Sequence, residues 1–276
     1  MLQDCYNTRR RSKNAMNTQV IHNKTYIWWA MLCAAALMNV GVWLWAILSH
    51  ADTQGLSYAQ AALSGIYVMV CAFRSLFPRI DVERYCLFDS PWSSIFLGRS
   101  LATIAEISFS IQVALLIHYL GSHVESTWII VISYCIVPVI VLAQVSCWYA
   151  TLTLNHFWHG VEEILWVVMA VLAGVCFVHG FFVLNGVPQL LMLVGIASSI
   201  GAAAIMLFFD IPMYITRTAG NSRKGRYLRI ADGLRDTVAR RIQTNDWGVW
   251  KAETIWISTY FTFGVWLSIS MIFIEF

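Results

Sequence analysis

Asn155-His156-Phe157-Trp158-His159-Gly160-Val161-Glu162-Glu163 packs two histidines and two carboxylates into nine residues, then leads into an apolar run that reaches residue 178. A helix that crosses a bilayer needs about 20 mostly apolar residues, and residues 157–178 qualify. Ionisable groups in such a span are costly, and they usually face the bundle interior and pair with one another. The stretch therefore implies a transmembrane helix with other helices around it.

Six further runs qualify. The seven expected spans are about 26–48, 57–77, 98–120, 128–149, 157–178, 190–211 and 254–273, with Arg74 interrupting the second. The composition agrees. Of 276 residues, 59% are hydrophobic and only 12% charged, and there are 13 Trp and 15 Phe. Soluble domains carry roughly 25% charge, so this chain has too little polar surface for water. The expected fold class is an all-α, polytopic integral membrane bundle of seven transmembrane helices.

Lysine and arginine set the expected orientation. With the N-terminus cytoplasmic, the inner segments 1–25, 74–99, 150–156 and 212–253 hold five, four, zero and nine basic residues, which is all 18 in the chain. Excess Lys and Arg marks the cytoplasmic side, so the C-terminus is expected outside. The chain then divides into a basic cytoplasmic segment, 1–25, and a transmembrane domain, 26–276. The first 25 residues are polar and basic, and the run that follows is too long for a cleavable signal. The sequon Asn23-Lys24-Thr25 faces the wrong compartment on this topology. The expected location is the plasma membrane, or the inner membrane of a bacterium.

Two inner segments carry local signals. Ser90-Pro91 reads as a helix start, a capping serine followed by proline in the first turn, so the third helix is expected to run as one rod from Pro91. Residues 226–242 are amphipathic, with Tyr227, Ile230, Leu234, Val238 and Ile242 near one face and basic residues elsewhere. That pattern fits a helix on the inner membrane surface, with anionic lipid headgroups as partners. The lipid bilayer is the other expected partner, and no nucleic acid is. Gly160 and Gly264 are expected to allow close helix contact. The seven cysteines lack C-x-x-C spacing and mostly fall in apolar runs, where Cys behaves as a small hydrophobe.

The polar residues within the spans converge at one depth. On the third helix Arg99, Thr103, Glu106 and Ser110 are spaced for one face. On the fifth, His156, His159 and Glu163 share a face, with Glu162 beside His159. Arg74 ends the second helix, Asp210 the sixth, and Glu253 opens the seventh. Gln144 lies near the inner end of the fourth. These positions imply one cytoplasm-facing cavity.

Its chemistry has two leading readings. In the first, the chain is a metal-dependent membrane enzyme that oxidises, desaturates or hydroxylates a lipidic substrate. His156, His159, Glu162 and Glu163 are then the candidate ligands of iron or another divalent transition metal, because His and carboxylate at i, i+3 resemble the inward-facing pairs of di-iron bundles. Glu106 and Asp210 are the candidate catalytic or additional ligand groups. Arg74 and Arg99 are placed to hold an anionic head, with Glu253 and Gln144 as further cavity residues. In the second, the same carboxylates form a proton-coupled transport path or relay. A scaffold without cavity chemistry is the third class, in which Arg74 and Arg99 merely neutralise Glu106 and Asp210. The seventh span holds no lysine for a retinal Schiff base, and a haem has only His118 and His179 as a further axial pair.

Overall fold

The computed structural model describes residues 2–49, 56–222 and 227–274, and the side chains of 24–49, 56–219 and 227–274. The chain is 84% helical, and among the described residues seven helices are long and apolar enough to cross a membrane. The first five are α1 (Leu2–Ser49), α2 (Leu56–Leu76), α3 (Ile95–His123), α4 (Thr127–Thr153) and α5 (His156–Val183). The sixth span is composite. α6 (Val187–Ile205) passes through a π-helical turn, Met206–Asp210, into α7 (Ile211–Ser222). After two short helices, α8 (Ile230–Ala239) and α9 (Trp247–Trp250), the seventh has the same design, with α10 (Thr254–Thr259), a π-turn Tyr260–Gly264 and α11 (Val265–Ser270).

Each of the first five spans packs on the next. The seventh returns to α1 and α2. The sixth leans on α5 and has almost no direct packing against the seventh, so the ring of helices is open there. Two apolar cores result. One joins α1, α2 and the seventh span through Trp28, Tyr67, Val68 and Phe261; the other joins α3 to α6 through Ile117, Ile136, Ile140, Phe177 and Met192.

Buried polar side chains tie the first core together. Asn39 donates to the carbonyl of Phe261 at 2.8 Å, inside the π-turn, and accepts from the Trp266 indole at 2.8 Å. Gln112 of α3 donates to the carbonyls of Gln60 and Ser268 at 3.1 and 3.2 Å, and accepts from Ser268 Oγ at 2.6 Å. In an apolar medium helices gain little from hydrophobic attraction, and such bonds help to fix their pairing.

One pole of the bundle carries the polar connections. A small sheet there has the order β1 (Arg79–Ile80), β2 (Tyr85–Cys86), β3 (Ile242–Gln243), antiparallel and then parallel. Arg84 organises it. Its buried guanidinium donates to Asp236 Oδ2 at 2.9 Å, to the Asp81 carbonyl at 2.6 Å and to the Thr151 carbonyl at 2.9 Å. One side chain thus binds the hairpin, the end of α4 and the short helix α8 (Ile230–Ala239).

Several local expectations are corrected. Pro91–Ser93 forms a separate 3-10 turn and Ser90 makes no capping bond, so α3 begins at Ile95. The sixth span does not stop near Pro212. The π-turn precedes the proline and carries the helix onward; wider hydrogen bonding is how a helix accommodates a residue without an N–H. The amphipathic segment is shorter than 226–242. α8 ends at Ala239, and Ile242 belongs to a strand. Gly233 and Thr237 of α8 are buried, and a Cβ on Gly233 would lie 1.9 Å from the Leu152 carbonyl oxygen. Ile230, Leu234 and Val238 consequently face outward and are exposed. Gly264 does sit at a close contact, since a Cβ there would lie 2.7 Å from Tyr67 Oη, whereas Gly160 faces open space.

Candidate functional site

A cavity of about 380 Å³ lies within the bundle near the polar pole. Its wall includes Arg74, Arg99, Glu106, His156, His159, Glu162, Glu163, Asp210 and Glu253. Gln144 stands behind it, bonded to Glu106 and Arg99. The wall also includes Arg79, Asp81, Glu83, Tyr214 and Arg217, none of which the sequence pattern had singled out as site residues. The volume falls in the range of about 300–1,000 Å³ typical of small-molecule sites.

The polar groups sort into three sets. On α3 and α4, Arg99 Nη2 lies 2.7 Å from Glu106 Oε1 and 2.9 Å from Gln144 Oε1, and Gln144 Nε2 donates to Glu106 Oε2 at 2.5 Å. Arg99 and Glu106 are seven residues apart, two helical turns, and the long arginine side chain spans the gap. The three groups bond to one another, as buried charges must be paired, although Arg99 Nε is buried without a partner. Arg74 does not join them. It lies over the Phe261 ring at 5.5 Å and has no ion pair among the described residues. Asp210, in the π-turn, likewise has none, so the expected neutralisation by Arg74 is not what the geometry contains.

The second set is on α4, α5 and α7. His159 Nδ1 is 2.7 Å from Glu162 Oε2 and 3.7 Å from Cys147 Sγ. All three side chains are buried, and their candidate ligand atoms lie within 4.8 Å of one another. Tyr214 stacks on the His159 ring at 5.0 Å and on the His156 ring at 6.1 Å. The Asn155 side chain caps α5 by accepting from Phe157 N at 3.1 Å, which fixes where the histidine face begins. Of the four expected ligands, only His159 and Glu162 fall in this cluster. Cys147 joins them, and His156 and Glu163 do not. A lone cysteine in an apolar run carries no sequence signal, since only the packing of α4 on α5 brings it beside the histidine.

The third set closes the polar end. Arg217 Nη2 is 2.8 Å from Glu253 Oε1, and Nη1 is 3.3 Å from Glu83 Oε1. Glu253 also accepts from the Trp256 indole at 2.5 Å. His156 Nε2 is 3.7 Å from Glu83, while its buried Nδ1 has no hydrogen-bond partner. Burial pushes the Glu83 carboxyl above the usual range; Arg217 opposes that rise and the Glu253 charge adds to it.

Comparison with protein-family models, with curated proteins and with solved structures gave no match.

Proposed function

We propose that the chain is a membrane-embedded, metal-dependent enzyme that works on an apolar-chain substrate inside the cavity. The carrying observation is the buried cluster of Cys147, His159 and Glu162, in which His159 and Glu162 line the cavity and Cys147 stands behind them. A tetrahedral zinc with bonds of about 2.3 Å to sulfur and about 2.0 Å to nitrogen and oxygen needs S–N and N–O separations near 3.6 and 3.3 Å. The Cys147–His159 distance of 3.7 Å fits. The His159–Glu162 distance of 2.7 Å is a hydrogen bond, so Glu162 would withdraw slightly as the proton gives way to metal.

The donor set refines the chemistry. Thiolate, imidazole and one carboxylate suit zinc better than the iron of a desaturase. Three protein ligands leave a fourth position for water, which zinc would acidify. Hydrolysis is therefore favoured over oxidation. Glu163 and Asp210 line the same cavity without ion pairs among the described residues, and either is placed to accept a proton. Arg74, beside Phe261 of the first core, is left free to orient an anionic group.

The same two unpaired carboxylates favour, as a second reading, a proton relay through the cavity. The orientation belongs to the proposal as well: the basic pole is cytoplasmic, with the N-terminus inside. Reporters inserted at 124–126 and at 223–226 should then report opposite compartments.

The test is metal analysis of protein purified in detergent without a histidine tag. Near-stoichiometric zinc in the wild type, lost in Cys147→Ser/His159→Gln, supports the enzyme reading. Equal metal in both, or none in either after zinc-supplemented growth, overturns it. Proton uptake by metal-free proteoliposomes, abolished in Glu163→Gln, would favour the relay.

A further inference from the structure

The helix ring is open between the sixth and seventh spans, and the cavity extends to that opening. From α6 it is lined by Ala197, Gly201 and Ala202, and from the seventh span by Ile255 and Phe263. Ala197, Gly201, Ile255 and Phe263 remain exposed. A Cβ on Gly201 would meet nothing within 4 Å. Both walls contain a π-turn, a local irregularity often found at functional sites. In a bilayer this seam would face hydrocarbon chains.

At the inner end stands a cationic pair. Arg79 is 2% exposed, and its guanidinium lies on the α3 backbone where Gly98 has no side chain; a Cβ there would fall 2.1 Å from Nη1. Nη1 donates to the Ser94 carbonyl at 2.6 Å, and the Phe73 ring supports the group from 5.4 Å. Nε and Nη2 are buried with no partner. Arg74, also buried, has no ion pair among the described residues. Four carboxylates of the wall are engaged, Glu106 by Arg99 and Gln144, Glu162 by His159, and Glu83 and Glu253 by Arg217; Asp81, whose charge favours the Arg79 cation, makes no ion pair with it, and its Oδ1 is buried without a partner. Burial, and after it the charge of Arg74, lowers the Arg79 pKa to about 10. A buried cation with idle donors is costly unless an anion meets it.

We propose that the cavity takes a single-chain amphiphile with a phosphate or carboxylate head, which enters from the bilayer between the sixth and seventh spans and docks its head on Arg74 and Arg79. The chain lies along the seam between Gly201 and Phe263. This deepens the enzyme reading by naming its substrate class, but it does not depend on the metal.

Binding is measured by calorimetry on the purified full chain in a neutral maltoside detergent. The probes are dodecyl phosphate, dodecanoate, inorganic phosphate and dodecyltrimethylammonium. Dodecyl phosphate or dodecanoate should bind, and dodecyltrimethylammonium should not. Losing a charged hydrogen bond in Arg79→Gln or Arg74→Gln should weaken binding about tenfold or more. Gly201→Trp, which fills open space, should abolish binding of the alkyl probes while leaving the fold intact by circular dichroism. Protein stripped of metal with a chelator should bind the probes like untreated protein, which separates this site from the metal. Unchanged affinity in both arginine variants, unchanged affinity in Gly201→Trp, or inorganic phosphate binding as tightly as dodecyl phosphate would each overturn the proposal.

Discussion

Arg217 Nη2 and Glu253 Oε1, 2.8 Å apart, join the last turns of the sixth span to the first residue before α10. They bridge the two spans that otherwise barely pack on each other. Glu253 is buried, while Arg217 is only part-buried and also reaches Glu83 at 3.3 Å. Arg217→Met leaves Glu253 with the Trp256 indole as its remaining donor. A lost charge-assisted bond of this kind costs about 2 kcal/mol. We expect a lower thermal midpoint for Arg217→Met, with part of the loss restored in Arg217→Met/Glu253→Gln. Additive effects in that double-mutant cycle would show that the pair is not coupled.

Glu83 gives the protein a pH signature. Its folded pKa lies above the ordinary value of 4.5, so the folded state holds the proton more tightly than the unfolded one. The unfolded chain binds fewer protons between 4.5 and the folded pKa, and stability falls as pH rises through that window. Relative to Glu83→Gln, the wild type should lose stability on going from about pH 4.5 toward neutrality. Thermal midpoints of both proteins across that range check this, and parallel curves would refute it.

The spans were legible because crossing hydrocarbon demands length and apolarity, which a linear sequence displays directly. The shared depth of Arg99, Glu106, His159 and Glu253 was legible from the grouping of Lys and Arg. Cys147 was not, because thiols pack like small hydrophobes and its neighbour His159 is twelve residues away on another helix. Arg79 was hidden for a similar reason: its seat is the missing side chain of Gly98, visible only once α3 and β1 are in place. The seat of α8 was not legible: apolar spacing says which residues cluster, but not that Gly233, having no side chain, is the one able to reach the α4 backbone.

Asn39 is a fixed point between α1 and the seventh span. Its amide both donates to Phe261 O and accepts from Trp266. Buried interhelical bonds of this sort are worth about 0.6 kcal/mol each and at most about 1.7. Asn39→Leu removes two and leaves both partners unsatisfied, so a loss of about 1–3 kcal/mol is expected. Unfolding in mixed micelles measures it. A wild-type value would mean that the π-turn repairs itself without the amide.

Two glycines at comparable helix positions should respond in opposite ways. Gly98→Ala puts a Cβ into the Arg79 guanidinium, whereas Gly160→Ala meets nothing within 4 Å. The first should weaken dodecyl phosphate binding as Arg79→Gln does. The second should leave binding unchanged and stabilise α5 by up to about 1 kcal/mol, the usual helix preference for Ala over Gly. Equal affinities for the two variants would argue against a fixed Arg79.

Arg79 should also show a conflict between stability and binding. In the ligand-free protein its buried Nε and Nη2 lack partners, and its charge lies close enough to Arg74 for the two to repel. One hydrogen bond to Ser94, the Phe73 ring and the charge of Asp81 offset only part of that cost. Removing an unpaired buried charge is a recognised route to higher stability at the expense of a site. Arg79→Gln should therefore melt at a higher temperature than wild type when no amphiphile is present. Dodecyl phosphate at about 100 times its dissociation constant should then stabilise the wild type by about 2.7 kcal/mol and leave the variant nearly unmoved. Thermal unfolding of both proteins with and without the probe measures all four states. If Arg79→Gln is less stable without ligand and gains as much with it, Arg79 is a structural anchor and the anion site lies elsewhere.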